Sequence, residues 1–194
     1  LHYRSTHADA QKAITYMEQA LKLDPTYAPA WFGLSDSLVY DYASFGGSYH
    51  DVLARARAAA ETALRLDPKL SDAHLAMARG LGEPEWDWAG AEAELRRALE
   101  LDPGSRAVQE EYGWFLTAMG RLDEGLAQSK KAAELDPLST GPVHDIAINY
   151  MVRGDLEQAA AYFRRAIDID PNWTWGYIKL GRTLARQKKC AEAL

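Results

Sequence analysis

The residues able to do chemistry are few and scattered. The five histidines are His2, His7, His50, His74 and His144, and none forms a His-Glu-x-x-His pair or another metal-ligand spacing. His74, on an apolar helix face, reads as a packed and satisfied residue. His50-Asp51 reads as a loop end or a helix N-cap. The single cysteine, Cys190, excludes an internal disulfide framework and a multi-cysteine zinc site. It has no local activator and reads as a small apolar packing residue. Gly46-Gly47 lacks the following Gly-Lys of a phosphate loop and reads as a flexible turn. Glu110 and Glu111 are adjacent in a helix, so their carboxyls point apart instead of sharing a proton. No catalytic constellation, metal site or cofactor site is expected, and the chain reads as a non-enzyme.

Composition narrows the classes further. The chain has 194 residues, 47% of them hydrophobic and 26% charged, as in ordinary globular domains. The 22 basic and 28 acidic residues give a net charge of −6, which argues against a sequence-independent grip on nucleic acid. No stretch approaches the roughly 20 apolar residues of a membrane span. No secretory signal opens the chain, and a cytoplasmic setting is the expectation. The missing initiator Met implies a segment of something longer.

The elements that would position any site come from a repeat. Leu-Asp-Pro or its near twin recurs at Leu23-Asp24-Pro25, Leu66-Asp67-Pro68, Leu101-Asp102-Pro103, Leu135-Asp136-Pro137 and Ile169-Asp170-Pro171. Proline-to-proline spacings are 43, 35, 34 and 34 residues. Five residues before each proline stands an alanine, at Ala20, Ala63, Ala98, Ala132 and Ala166. Each unit reads as two helices. In 140–171, Val143, Ile146, Ala147 and Tyr150 form one stripe, Gly154 interrupts, and Ala159, Phe163 and Ala166 form a second. Asp-Pro should end the second helix, and Ser71, Ser105 and Ser139 are candidate caps for the next.

These residues resemble the tetratricopeptide (TPR) pattern W-x2-L-G-x2-Y, A-x3-F, A and P. Trp31, Leu34 and Leu38 match the first half, as do Tyr112-Gly113 with Leu116, Ile146-Ala147 with Tyr150, and Leu180-Gly181 with Leu184. Ala159, Phe163, Ala166 and Pro171 match the second half best. His74 departs from a Trp-type slot, and Gly125 and Ser129 replace Ala and Phe, which should loosen packing there. The resemblance implies an all-α, right-handed superhelical solenoid of antiparallel hairpins. It would be one array over 1–194, with a partial repeat at 1–27, repeats at 28–70, 71–105, 106–139 and 140–173, and a partial repeat at 174–194. The long repeat carries nine extra residues around 41–50, expected to lengthen a connection between helices. The 35-residue repeat carries one extra residue near 83–88. Two segments, Glu85-Trp86-Asp87-Trp88-Ala89-Gly90-Ala91 and Leu95-Arg96-Arg97-Ala98-Leu99, resemble a subfamily appended to bacterial signalling proteins and transcription regulators.

The resemblance also implies that the first helix of each hairpin lines a concave groove. One stripe of those helices gives Phe32, Asp36, Leu75, Arg79, Glu110, Trp114, His144, Ile148, Met151, Ile178 and Arg182, with Trp175 at the edge. Trp114 lies two residues after the core-type Tyr112 and one after Gly113, about 200° and 100° away around the helix. The stripe lacks the Lys and Asn set with which chaperone-binding members clamp a terminal carboxylate. It suits an apolar extended segment or an amphipathic helix. The expected function is a protein–protein interaction scaffold, the regulatory array of a larger bacterial protein. The alternatives are a non-catalytic part of a signalling kinase or nucleotide cyclase, or a module that self-associates through an apolar face near Leu180 and Leu184.

Overall fold

The computed structural model describes residues 7–45, 49–85 and 87–188. Among the described residues there are ten α-helices and no strand. They are α1 (His7–Leu23), α2 (Ala28–Phe45), α3 (Tyr49–Leu66), α4 (Ser71–Glu85), α5 (Trp88–Leu101), α6 (Arg106–Ala118), α7 (Leu122–Leu135), α8 (Thr140–Arg153), α9 (Leu156–Ile169) and α10 (Thr174–Arg186). The fold is an all-α repeat of helical hairpins, of the solenoid class. Two compact units are formed, residues 1–103 and 104–194.

The Leu-Asp-Pro tripeptide ends each second helix by a mechanism that its Asp completes. The Asp N–H still donates to the alanine four residues earlier, Asp24 to Ala20, Asp67 to Ala63, Asp102 to Ala98, Asp136 to Ala132 and Asp170 to Ala166, at 2.8–3.1 Å. Its carboxylate then accepts the N–H two residues on, from Thr26, Lys69, Leu138 and Asn172, at 2.8–3.2 Å. That side-chain bond mimics a backbone turn and redirects the chain. After α6, α8 and α10 the chain uses left-handed backbone at a spacing of 34 residues: Gly120, Gly154 and Lys188, with φ of 76°, 82° and 62°. Only the lysine carries a Cβ into that strained region.

In the first unit, α2 packs on α3 and α4 on α5, with α1 against α2 and α4 against both α2 and α3. Ile14, Leu34, Leu38, Ala56 and Ala59 belong to one cluster there, with Met17 and Trp31 packed against it. In the second unit, α6 pairs with α7 and α8 with α9, α10 lies on α9, and α6 touches α8. Val143, Ile146, Ala166 and Trp173 form one cluster there, and Ala147, Ala159 and Phe163 another.

Small residues set the spacing of one hairpin. A Cβ at Gly113 would stand 2.9 Å from the Ser129 backbone nitrogen and 3.1 Å from the Gly125 carbonyl oxygen. A Cβ at Gly125 would stand 2.9 Å from both the Gly113 oxygen and the Thr117 nitrogen. The expectation of loose packing at Gly125 and Ser129 is therefore corrected. With no side chain on either face the two backbones simply move together, and Ser129 is fully buried.

Three further expectations are revised. The nine extra residues extend the helices themselves, since α2 and α3 reach 18 residues each and only 46–48 lie between them. Asp41, within this extension, accepts from Gln11 and pairs with His7, both at 2.7 Å, so the added turn of α2 is fastened to α1. His50 and Asp51 lie within the first turn of α3. Ser105 caps α6 by accepting from Val108, whereas Ser139 makes no capping bond. Ser71 lies within α4 and donates to the Ala98 carbonyl at 2.9 Å. His2, Gly46, Gly47, Trp86 and Cys190 lie outside the described residues.

Candidate functional site

The residues expected on the first-helix stripe divide between the two units. In the first, Asp36 on α2 and Arg79 on α4 form an ion pair at 2.6 Å. Phe32 is half-buried. Leu75 is 1% exposed. It belongs to the core and presents nothing, because α2, α3 and α5 all close around α4. Asp72 stands in the field of Asp36 and Asp102. Its carboxyl is raised above the ordinary range first by burial and then by those two charges, with Arg79 opposing.

In the second unit the same stripe stays more apolar. Trp114 on α6 is 41% exposed, and Trp175 and Ile178 on α10 are exposed as well. Ile148 and Met151 on α8 are half-buried. Both pack at the edge of the Ala147–Phe163 cluster together with Leu180. The Thr183 hydroxyl faces the Met151 sulfur at 4.0 Å, which places α10 beside α8. Arg182 is exposed on α10. Glu110 pairs with Arg106, and its carboxylate fills the space that any side chain at Gly141 would need.

His144 does not present itself. Its ring lies edge-on to Trp173 at 5.3 Å and tilted against Phe163 at 6.0 Å, so it packs between helices. Its Nδ1 is 3.0 Å from Asp145. Asp145 is buried. Burial pushes its carboxyl up from the ordinary range and Glu111 adds to the rise, while the His144 hydrogen bond works against it. At the face expected near Leu180 and Leu184, Leu184 is 2% exposed and Leu180 is half-buried.

Below this stripe runs a polar network that sequence reasoning missed. Asn149, fully buried, donates to the Thr117 hydroxyl at 2.8 Å and to the Leu122 carbonyl at 2.9 Å. Arg153 donates to Asn149 at 2.8 Å and pairs with Asp123 at 2.6 Å. The network ties α8 to α6 and to the start of α7 and supplies partners for the Asn149 amide it buries. A second omission is the slot six residues after three of the prolines. Trp31 Nε1 donates to the Pro25 carbonyl at 2.8 Å, and Tyr177 Oη to that of Pro171 at 3.1 Å. His74 Nε2 stands 3.1 Å from the Pro68 carbonyl, with its Nδ1 2.5 Å from Glu94. A shared donor function is the signal that could have linked these three unlike side chains.

Among the described residues no group of three or more His, Cys, Asp or Glu could hold a metal ion. None of their helices is long and apolar enough to cross a membrane.

Tetratricopeptide-repeat family models match residues 144–173 and 8–27. These segments hold α9 with most of α8, and α1. The matched segments are tetratricopeptide repeats. Solved structures agree on the fold of this chain. It is similar to TTC0263, a thermophilic TPR protein of Thermus thermophilus, at a TM-score of 0.77, 18% identity, and 92% coverage of each chain. It is similar to YrrB, described as a TPR protein with an unusual peptide-binding site, at 0.58 and 25% identity, covering 87% of this chain and 82% of that one. Human IFIT1, solved as a dimer with m7Gppp-AAAA, superposes at 0.82 with 18% identity, over 97% of this chain and 46% of IFIT1. No curated protein sequence matches the chain. The TPR fold is that of a protein-interaction module, and the family is generally non-catalytic.

Proposed function

We propose that this TPR chain docks a peptide or partner protein against the first helices of its second unit and has no catalytic role of its own. The observation that carries this reading is the exposed Trp114 on α6, continued by half-buried Ile148 and Met151 on α8 and exposed Ile178 on α10. Large exposed aromatics with aliphatic neighbours are typical binding anchors. The peptide-binding description of YrrB, the 25% identical relative, points the same way. The docking set is Trp114, Ile148, Met151, Trp175, Ile178 and Arg182, flanked by Glu110. In this reading the chain is the regulatory array of a larger bacterial protein, and the partner's grip on this face transmits to the domains it is joined to.

A photocrosslinking residue placed at 114 tests this directly. Introduced into the full-length protein in its own cell, it should give a discrete protein adduct. The same residue at exposed Tyr16 of α1 should not. Adducts absent at 114, or equal at both positions, refute the docking face.

A further inference from the structure

Trp114 opens a row of equivalent positions whose last member bears on the chemistry of the docked segment, and this inference rests on the docking reading above. The Thr117 hydroxyl of α6 accepts from Asn149 of α8 at 2.8 Å. At the positions 34 residues further on, the Thr183 hydroxyl of α10 faces the Met151 sulfur of α8 at 4.0 Å. The same two positions meet twice, so α10 sits on α8 in the register in which α8 sits on α6. Leu180 of α10 also packs against the cluster that Ile148 and Met151 flank. That register carries Trp114 to Ile148 to Arg182. One helical turn on, it carries Ala118 to Val152 to Arg186. Trp114, Val152, Arg182 and Arg186 are exposed, and Ile148 is half-buried. Both rows therefore run from apolar groups on α6 and α8 to a guanidinium on α10.

Charge changes along the same path. α6 carries Arg106 with Glu110 and Glu111, and α8 carries Asp145 and Arg153. α10 carries Lys179, Arg182 and Arg186 and no acid. Among the described residues neither Arg182 nor Arg186 forms an ion pair. Four residues apart, they share one helix face and repel each other, and an anion placed between them relieves both. Packed helices lie roughly 8–10 Å apart, a distance an extended chain covers in about three residues.

We propose that the face of α6, α8 and α10 binds an extended peptide with two apolar side chains and, to one side of them, an Asp or Glu. The apolar pair rests on Trp114 and Ile148, and the carboxylate sits between Arg182 and Arg186. Each group lies about three residues from the next. Guanidinium donors match the two oxygens of a carboxylate. The apolar start of both rows favours a peptide over a nucleic acid.

The test is selection from a random dodecapeptide display library on the immobilised full chain, beside Trp114→Ala and the pair Arg182→Gln with Arg186→Gln. Peptides enriched on the unmodified chain should carry an Asp or Glu about three residues from an apolar side chain. A synthetic fluorescent copy of the leading peptide, amidated at its C-terminus, should lose at least about tenfold in affinity on Trp114→Ala. It should lose about fivefold or more on the arginine pair, with the larger loss at low salt. The pair Arg182→Glu with Arg186→Glu should instead prefer the lysine analogue of the same peptide. Enriched peptides that need Trp114 but carry no acid, or that bind the glutamine variant unchanged, overturn the carboxylate seat and leave the docking face standing. If the amidated copy fails and the free-acid copy binds, the carboxylate is the chain terminus and the side-chain assignment is overturned. An RNA dodecamer that binds more tightly than the peptide and needs both arginines overturns the peptide as ligand. No enrichment over Trp114→Ala overturns the docking face as well, and so does a concentration-dependent dimer in sedimentation that Trp114→Ala abolishes.

Discussion

The two units build the same hairpin from the same tripeptide turns and treat the face of their first helices differently. In the first unit Asp36 and Arg79 neutralise each other and Leu75 is drawn into the core. In the second, Trp114, Trp175 and Ile178 remain exposed. Below that face, the second unit's own two hairpins also differ from each other. Where α6 meets α7, Gly113, Gly125 and Ser129 let the backbones touch. Where α8 meets α9, a fully buried Phe163 fills the space. A repeat thus fixes the path of the backbone, while the sizes of the buried side chains set how closely each helix pair approaches.

The largest effect that can break this comparison is expected from Phe163→Ala. Emptying that fully buried site should cost roughly 3–5 kcal/mol in a denaturant titration. Trp114→Ala, an equally large truncation, should cost less than about 1.5 kcal/mol. Near-equal losses would place Trp114 in the core and end its role as an anchor.

Next in size is a pair of identical substitutions with opposite signs. Gly113→Ala drives a methyl against the backbone of α7 and should destabilise by about 1–3 kcal/mol. Gly80→Ala, in the first unit, meets only Arg57 at 3.8 Å. It should be neutral or stabilising by up to about 1 kcal/mol, because alanine is the better helix former. Paired thermal melts read the sign.

The buried acid of the second unit should mark its pH dependence. The Asp145 carboxyl titrates above its unfolded value in the folded state. The folded chain therefore holds its proton more tightly, and the stability this contributes is present at acidic pH. It is lost as pH rises from the ordinary aspartate range through the raised folded value. Asp145→Asn, which can still accept from His144, should flatten that decline and raise the melting temperature at neutral pH. Asp72 shifts in the same direction in the first unit, so the slope should shrink without vanishing. An unchanged slope would show that the carboxylate is well solvated.

The smallest effect belongs to the ion pair of the first unit. Arg79→Met removes a half-exposed partner of Asp36 and should cost at most about 1 kcal/mol, less at high salt. A larger, salt-insensitive loss would mean that the pair organises the face.

Much of this was legible in the residues. The tripeptide and its alanine located the end of every second helix, because an Asp-Pro pair can act locally in only one way. Trp114 was placed on an outward direction by counting residues around a helix, since two positions fix an angle. Leu75 and His144 were read onto the same stripe and proved to be packed. Their angle was right, but whether that direction met solvent depended on the neighbouring helices. The nine extra residues suggest a longer connection between helices, because Asp41 can support another turn of helix through Gln11 and His7 only once α1 is in place.

The sequence by itself therefore determined the repeat, the helix ends and the direction in which each side chain leaves its helix. These are local properties, carried by backbone geometry within a few residues. Tertiary structure alone decided how closely paired helices approach, which stripe residues stay exposed, and that Asp145 is buried. Those depend on the volumes and charges of groups far apart along the chain, which no spacing between residues encodes.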